Sequence, residues 1–140
     1  MPSYETVEVG AHLPVRKFLV KRANLVRYAG ASGDFNVIHW NERIARSVGL
    51  PNVIAHGMLT MATAGRVVTD WVGDPGRVEA YGVRFSSPVP VLDDDVGTEV
   101  VVSGEVTEKL DDNRVRVTLT ATTDGITAVL TSAHAVVRLD

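Results

Sequence analysis

One short stretch of the chain gathers the side-chain types that proton-transfer chemistry needs: Gly33-Asp34-Phe35-Asn36-Val37-Ile38-His39. An imidazole titrates near neutrality, and a carboxylate can give or take the matching proton, so Asp34 and His39 are candidates for an acid and base pair. On an α-helix five residues turn through about 140°, which would point the two apart. Gly33, Asp34 and Asn36 instead favour a compact loop, through unusual dihedrals and side chains that bond their own backbone. Such a loop can aim both groups at one substrate. The same residues also admit a structural reading, with Asp34 capping the helix that follows and His39 packed and hydrogen-bonded.

His56 would complete an Asp34, His39, His56 metal triad. No paired-histidine helix motif accompanies it, and a histidine at a helix start more often caps or packs, so no metal is expected. His12 and His134 have no motif around them. Cysteine is absent, which excludes disulfides, a thiol nucleophile and a thiolate metal site, and fits a reducing cytoplasm.

The elements that must position the loop can be read in order. Leu13 to Val20 alternates loosely and carries β-branched and aromatic residues, predicting a first strand. Leu25, Val26, Tyr28 and Ala29 recur at helical spacing, predicting a helix over Ala23 to Ala31 with Gly30 and Gly33 at its exit; Lys21 and Arg22 are poor caps for its start. Asn41 to Ser47 predicts a short helix, ended by Gly49 and Pro51. Gly57 to Val72 is the most apolar element, with only Arg66 and Asp70 charged, spaced as an i,i+4 pair. A helix apolar on nearly every side belongs inside something. At about 1.5 Å per residue it is short for a membrane span. Gly57, Ala62, Ala64 and Gly65 give it a thin profile that backbone or ligand can approach, and Gly73 and Pro75 end it.

Tyr81 to Ser87, Thr98 to Val106, Arg114 to Thr123 and Ile126 to Leu139 read as strands, with hairpin turns at Asp111-Asp112-Asn113 and Asp124-Gly125. Helices followed by an antiparallel run predict one α+β domain over residues 1–140, its sheet wrapped around the long helix.

A net charge of −3 argues against broad nucleic-acid binding. The charge is uneven: residues 1–70 hold eight Lys/Arg against five Asp/Glu, and residues 71–140 hold six against twelve. The N-terminus, Met1-Pro2-Ser3-Tyr4-Glu5, has neither a basic start nor an apolar run, so no signal peptide is expected and a cytoplasmic location is.

Tyr28 to His39, with Asp34, Asn36 and His39 in that order and spacing, resembles the signature of the MaoC-like (R)-specific enoyl hydratases, a branch of the hot-dog fold. Ile54 to Thr60 resembles the start of that family's central helix. The chain is most similar to the catalytic B subunits of (3R)-hydroxyacyl-ACP dehydratases, through Ile38-His39-Trp40, Ala55 to Met61 and Trp71 to Gly76. Val37 stands where the family usually has proline, which would free the loop backbone.

The resemblance implies reversible removal of water from 3-hydroxyacyl thioesters, carried by acyl carrier protein or CoA, with no cofactor. The reaction needs a base for the C2 proton, an acid for the departing hydroxyl, and a donor for the enolate oxygen. His39 is assigned the C2 proton and Asp34 the hydroxyl, although the two roles can be exchanged. Asn36 would pin the loop or orient the pair, with Ser32 behind it. The Gly57 N–H, at the positive end of the long helix, fits the oxyanion donor, typically worth about 3–4 kcal/mol. His56, Met58 and Met61 are candidate walls of the acyl tunnel. Arg43 and Arg46, flanking the loop, are candidates for docking an acidic carrier, with Arg16, Lys21, Arg22 and Arg27 as further members of the patch. A dimer, with itself or with a homologous subunit lacking the pair, is expected to cover the long helix. Two other functions compete. A hot-dog thioesterase has no need of a base at C2, and a non-catalytic acyl-binding subunit could lose the pair that this chain keeps.

Overall fold

The computed structural model describes residues 1–140 and builds them around a five-stranded antiparallel sheet. The strands are β1 (Arg16–Val20), β2 (Val78–Phe85), β3 (Thr98–Leu110), β4 (Arg114–Thr123) and β5 (Ile126–Arg138), ordered β1-β3-β4-β5-β2. In the central strand β4 the alternation read from the sequence becomes two faces. Val115, Val117, Leu119 and Ala121 are buried, while Thr118 and Thr120 are exposed. Burying each such valine stabilises by roughly 1.5–3 kcal/mol, which fixes the register because a one-residue slip would turn the whole set outward. Asp112 and Asn113, at φ 58° and 56°, make the β3–β4 turn, and Gly125, at φ 68°, makes the β4–β5 turn.

The helices are α1 (Arg22–Ser32), α2 (Glu42–Ser47) and α3 (Gly57–Val72). The long helix α3 packs against β2, β3, β4 and β5 through Ala64, Val67, Val68 and Val72, all buried. This is the hot-dog arrangement, a sheet curved around a central helix. Close approach depends on glycine: a Cβ on Gly65 would lie 2.9 Å from Cε1 of Tyr81, whose hydroxyl donates to the Met61 carbonyl at 2.6 Å. No helix is long and apolar enough to cross a membrane.

Several details differ from the sequence reading. The first strand begins at Arg16 rather than Leu13, because Pro14 has no N–H for the ladder; Leu13 is buried and bonds Gly104 on its own. Gly30 stays inside α1, which ends only at Gly33, with φ 75° and its N–H on the Ala29 carbonyl. The start of α1 is marked from inside the helix, where Asn24 Oδ1 accepts the Lys21 N–H at 2.8 Å. Strand β2 begins three residues before Tyr81 and ends at Phe85, after which the Ser86 and Ser87 N–H groups converge on one carbonyl, that of Val129. Nor is α3 enclosed on every side, since Met58 is 55% exposed and Ala62, Arg66 and Asp70 are exposed along one stripe. Arg66 and Asp70 do not pair with each other. Asp70 binds Arg16 at 3.1 Å, and the Arg66 guanidinium lies over the Phe18 ring at 5.4 Å, because β1 brings both partners alongside α3.

Candidate active site

The loop that carries Asp34 and His39 is built by a series of side-chain bonds, which after the first each reach two residues along. Ser32 Oγ donates to the Tyr28 carbonyl at 2.7 Å and accepts the Asp34 N–H at 3.1 Å. Asp34 Oδ1 accepts the Asn36 N–H at 3.2 Å, and Asn36 Oδ1 accepts the Ile38 N–H at 3.2 Å. Short oxygen-bearing side chains substitute here for a regular backbone ladder. The series ends in a single 3-10 turn, Val37–His39, while Trp40 Nε1 ties back to the Phe35 carbonyl at 3.0 Å. Asn41 then caps α2 by accepting the Ile44 N–H at 3.1 Å.

His39 is buried, and its Nδ1 lies 2.7 Å from the Ile54 carbonyl. A carbonyl can only accept, so Nδ1 carries a proton, and in the neutral form of the ring the lone pair is on Nε2. Nε2 faces Asp34 Oδ2 at 3.9 Å, and that carboxylate is half exposed. The separation is too long for a hydrogen bond, yet one oxygen atom set to one side of the line joining them can lie about 2.8 Å from each. A water or a substrate hydroxyl has that size and both polarities.

Behind His39 lies His56, the N-cap residue of α3, with only 1% of its surface exposed. The two rings stack at 3.8 Å and 24°, and His56 Nε2 donates to the Asp34 backbone carbonyl at 3.1 Å. Burial holds the His56 imidazole below the usual histidine range, with the Asp34 carbonyl pulling the other way and nearby His39 adding to the depression. Ligand atoms of Asp34, His39 and His56 fall within 4.8 Å of one another. Histidine lone pairs lie in the ring plane, however, and two rings stacked with centroids 3.8 Å apart and a 24° tilt do not aim their lone pairs at one point ~2.1 Å from both, as a metal requires. This donor set suits proton transfer better than ion binding.

A pocket of about 350 Å³ opens beside His39. Gly57 lines it as the first residue of α3, where a backbone N–H has no partner inside the helix and meets the positive end of the helix dipole. Its walls include Ala55, Phe85, Pro88, Val89 and Leu130, an apolar sleeve suited to an acyl chain. Met58, Met61 and His56 do not line this pocket: Met58 points to the outer stripe of α3, Met61 is half-buried beside Tyr81, and His56 is sealed behind His39. The sequence reading takes Ser86 and Ser87 as the end of a strand and gives Pro88-Val89-Pro90 no role, whereas Ser86 to Val89 line the pocket. The signal in this segment is a strand pattern broken by two prolines, which marks a loop but does not say where it folds.

The basic residues near the loop separate into two kinds. Arg22 is a structural hub, bonding the Val91 carbonyl at 2.6 Å, Asn52 Oδ1 at 2.7 Å and Glu42 at 3.2 Å. Arg46 also pairs with Glu42, at 3.0 Å, and hydrogen bonds from Arg22 and Arg46 hold the Glu42 carboxyl below its usual range. Arg43 is exposed and forms no ion pair.

Residues 5–125 match the family described as MaoC like domain. The chain belongs to this family. Over 107 residues this MaoC-like chain is 30% identical to the (R)-specific enoyl-CoA hydratase of Rhodospirillum rubrum, covering 76% of this chain and 73% of that protein. It is 40% identical over 76 residues to 3-hydroxyacyl-thioester dehydratase X of Mycobacterium tuberculosis, covering 54% of this chain and 26% of that protein. A solved MaoC-like dehydratase superposes with a TM-score of 0.94 at 40% identity, over 99% of this chain and 42% of that one. A chain of the ChsH1-ChsH2 complex from M. tuberculosis superposes with a TM-score of 0.80 at 26% identity, over 96% of this chain and 99% of that one. The chain thus spans less than half the length of the M. tuberculosis dehydratase X and of the solved MaoC-like dehydratase.

Proposed function

We propose that residues 1–140 form one catalytic hot-dog unit that interconverts (3R)-hydroxyacyl and trans-2-enoyl thioesters, in fatty-acid elongation or related acyl metabolism in the cytoplasm. The observation that carries this reading is the His39 tautomer. With Nδ1–H committed to Ile54, Nε2 faces the Asp34 carboxyl group at 3.9 Å, so that one oxygen atom to the side of the pair can bond both, next to an apolar pocket. The kinship with an enoyl-CoA hydratase and a hydroxyacyl-thioester dehydratase supports it.

In the dehydration direction His39 Nε2 takes the C2 proton, and the electron pair moves into an enolate whose oxygen is held by the Gly57 N–H. The C3–O bond then breaks, the double bond forms, and the hydroxyl leaves as water with a proton from Asp34, which enters the step as the carboxylic acid and leaves it as the carboxylate. The pair has moved one proton from Asp34 to His39, and its return across the gap resets the site. Exchanging the two roles leaves this balance unchanged, and hydration runs the same steps backwards. Ser32 and Asn36 serve by holding the loop, through the bonds to Asp34 and Ile38 described above.

A dimer completes the unit in this reading. Strand β2 lies at a sheet edge, and beside it α3 exposes Met58 and Ala62 while Phe85 is 51% exposed, an apolar strip that a partner would cover. The relationship to a chain of the ChsH1-ChsH2 complex supports a homologous hot-dog subunit as one such partner. The test of function is hydration of crotonyl-CoA, repeated with longer enoyl chains. Turnover that His39→Asn abolishes is the expected result; no turnover on any chain length removes the reading.

A further inference from the structure

His56 occupies the N-cap position of α3 and does not cap it. Its backbone is extended, at φ −58° and ψ 132°, and its ring makes no bond to the helix N–H groups. The ring turns instead into the catalytic loop. Its Nε2–H reaches the backbone carbonyl of Asp34, its face lies on His39, and Tyr28 closes its other side at 4.7 Å and 59°. Its Nδ1 is buried with no hydrogen-bond partner. Buried polar atoms are nearly always satisfied, and a ring needed only for packing would be better served by an apolar residue. The one bond His56 does make goes to the backbone of the residue that bears the reacting carboxylate.

His39 is therefore held twice by one extended segment. Ile54 takes its Nδ1–H, and two residues later His56 lies against its face. The first contact fixes which nitrogen is protonated, and the second fixes the plane in which the free nitrogen points.

We infer that His56 is a positioning residue for the proposed hydratase reaction: it fixes the Asp34 peptide by hydrogen bond and the His39 ring by stacking, without touching the substrate. This rests on the hydratase reading. The role requires a neutral ring, since a cation stacked 3.8 Å from His39 would oppose the charge His39 gains on taking the C2 proton. Burial keeps His56 on the neutral side, in the same direction that the role demands.

Two substitutions divide the role. His56→Phe keeps a ring against His39, removes the unpartnered nitrogen and leaves the Asp34 carbonyl without its donor. Its melting temperature should match or exceed that of the unaltered protein, while kcat for crotonyl-CoA falls at least about tenfold with KM within about twofold, since a misplaced proton-transfer group costs rate rather than binding. His56→Gln keeps a donor near the Nε2 position and removes the stack. Long-range 1H–15N spectra read the His39 ring whether or not the protein turns over: both proteins should show the Nδ1–H form that Ile54 fixes, and His56→Gln should shift and broaden the His39 ring signals as the plane of the ring is released. Unaltered kcat in His56→Phe, or an unaltered His39 spectrum in His56→Gln, overturns the assignment. If the unaltered protein hydrates no enoyl thioester, the spectra alone decide the positioning role, and the hydratase reading fails separately.

Discussion

Nε2 of His39 and Oδ2 of Asp34 stand 3.9 Å apart, each without another hydrogen-bond partner, so that one oxygen atom can bond both. Asp34→Asn keeps the shape and removes the proton carrier. His39→Asn keeps a donor near the position of Nδ1 for Ile54 and removes Nε2. Each should lower kcat by about 10²–10⁴-fold, the usual worth of a proton-transfer group, with far-ultraviolet circular dichroism unchanged. Near-normal turnover in either folded variant would exclude the pair as acid and base.

Val37 begins the 3-10 turn after Asn36, and its N–H makes no hydrogen bond. Proline suits a first helical position, where the missing N–H costs nothing and the ring fixes φ. Val37→Pro should raise stability by about 0.4–1 kcal/mol in urea titrations, acting through the unfolded chain, with kcat unchanged. The bonds from Ser32, Asp34 and Asn36 already hold the loop that a proline would stiffen. A drop in stability would show that the loop backbone differs from this geometry.

Gly65 and Tyr81 form a close helix-to-sheet approach. Gly65→Ala puts a methyl 2.9 Å from a ring that its bond to the Met61 carbonyl prevents from swinging away. Overpacking of this kind should cost about 1–3 kcal/mol, read as a lower urea midpoint. Burial also pushes the Tyr81 phenol up to about 12, so folding favours the protonated form. Its stabilising contribution is complete below the unfolded value near pH 10 and is lost as pH rises toward about 12. The urea midpoint should fall across that window in the unaltered protein, and less steeply in Tyr81→Phe. Equal slopes would mean that other groups govern alkaline unfolding.

Arg43 is an exposed cation without an ion pair just after the Asp34 to His39 loop, and Arg46 is shared with Glu42. If an acidic carrier protein docks here, Arg43→Glu should lower kcat/KM on carrier-bound enoyl substrate more than on the CoA thioester. The difference should shrink with salt, as the Debye length falls below about 8 Å. Arg46→Glu should act in the same direction, with little cost in stability because its ion pair is exposed. Equal losses on both substrates would place the contact with the shared pantetheine arm instead.

The sequence by itself determined which segments are strands, though not the bounds of the first two, together with the hairpin turns and the long helix, because alternating valines, Asp, Asn and Gly at the turns and a terminal Gly73 act within a few residues of chain. It also singled out Asp34, Asn36, His39 and Gly57, whose types and spacing are local. Tertiary structure decided what those residues face. The His39 tautomer depends on the Ile54 carbonyl, fifteen positions away, and the Asp34 backbone is held by His56, twenty-two positions away. The pocket wall at Ser86 to Val89 meets α3 only once β2 and β5 have paired. Arg66 and Asp70 show the limit from the other side: a spacing that suits an i,i+4 pair gave way to Phe18 and Arg16 on a neighbouring strand. Local patterning sets where hydrogen-bond donors and charges lie along an element, but a partner from a distant segment wins when packing brings it closer and excludes water, and no periodicity in the chain records which segment that will be.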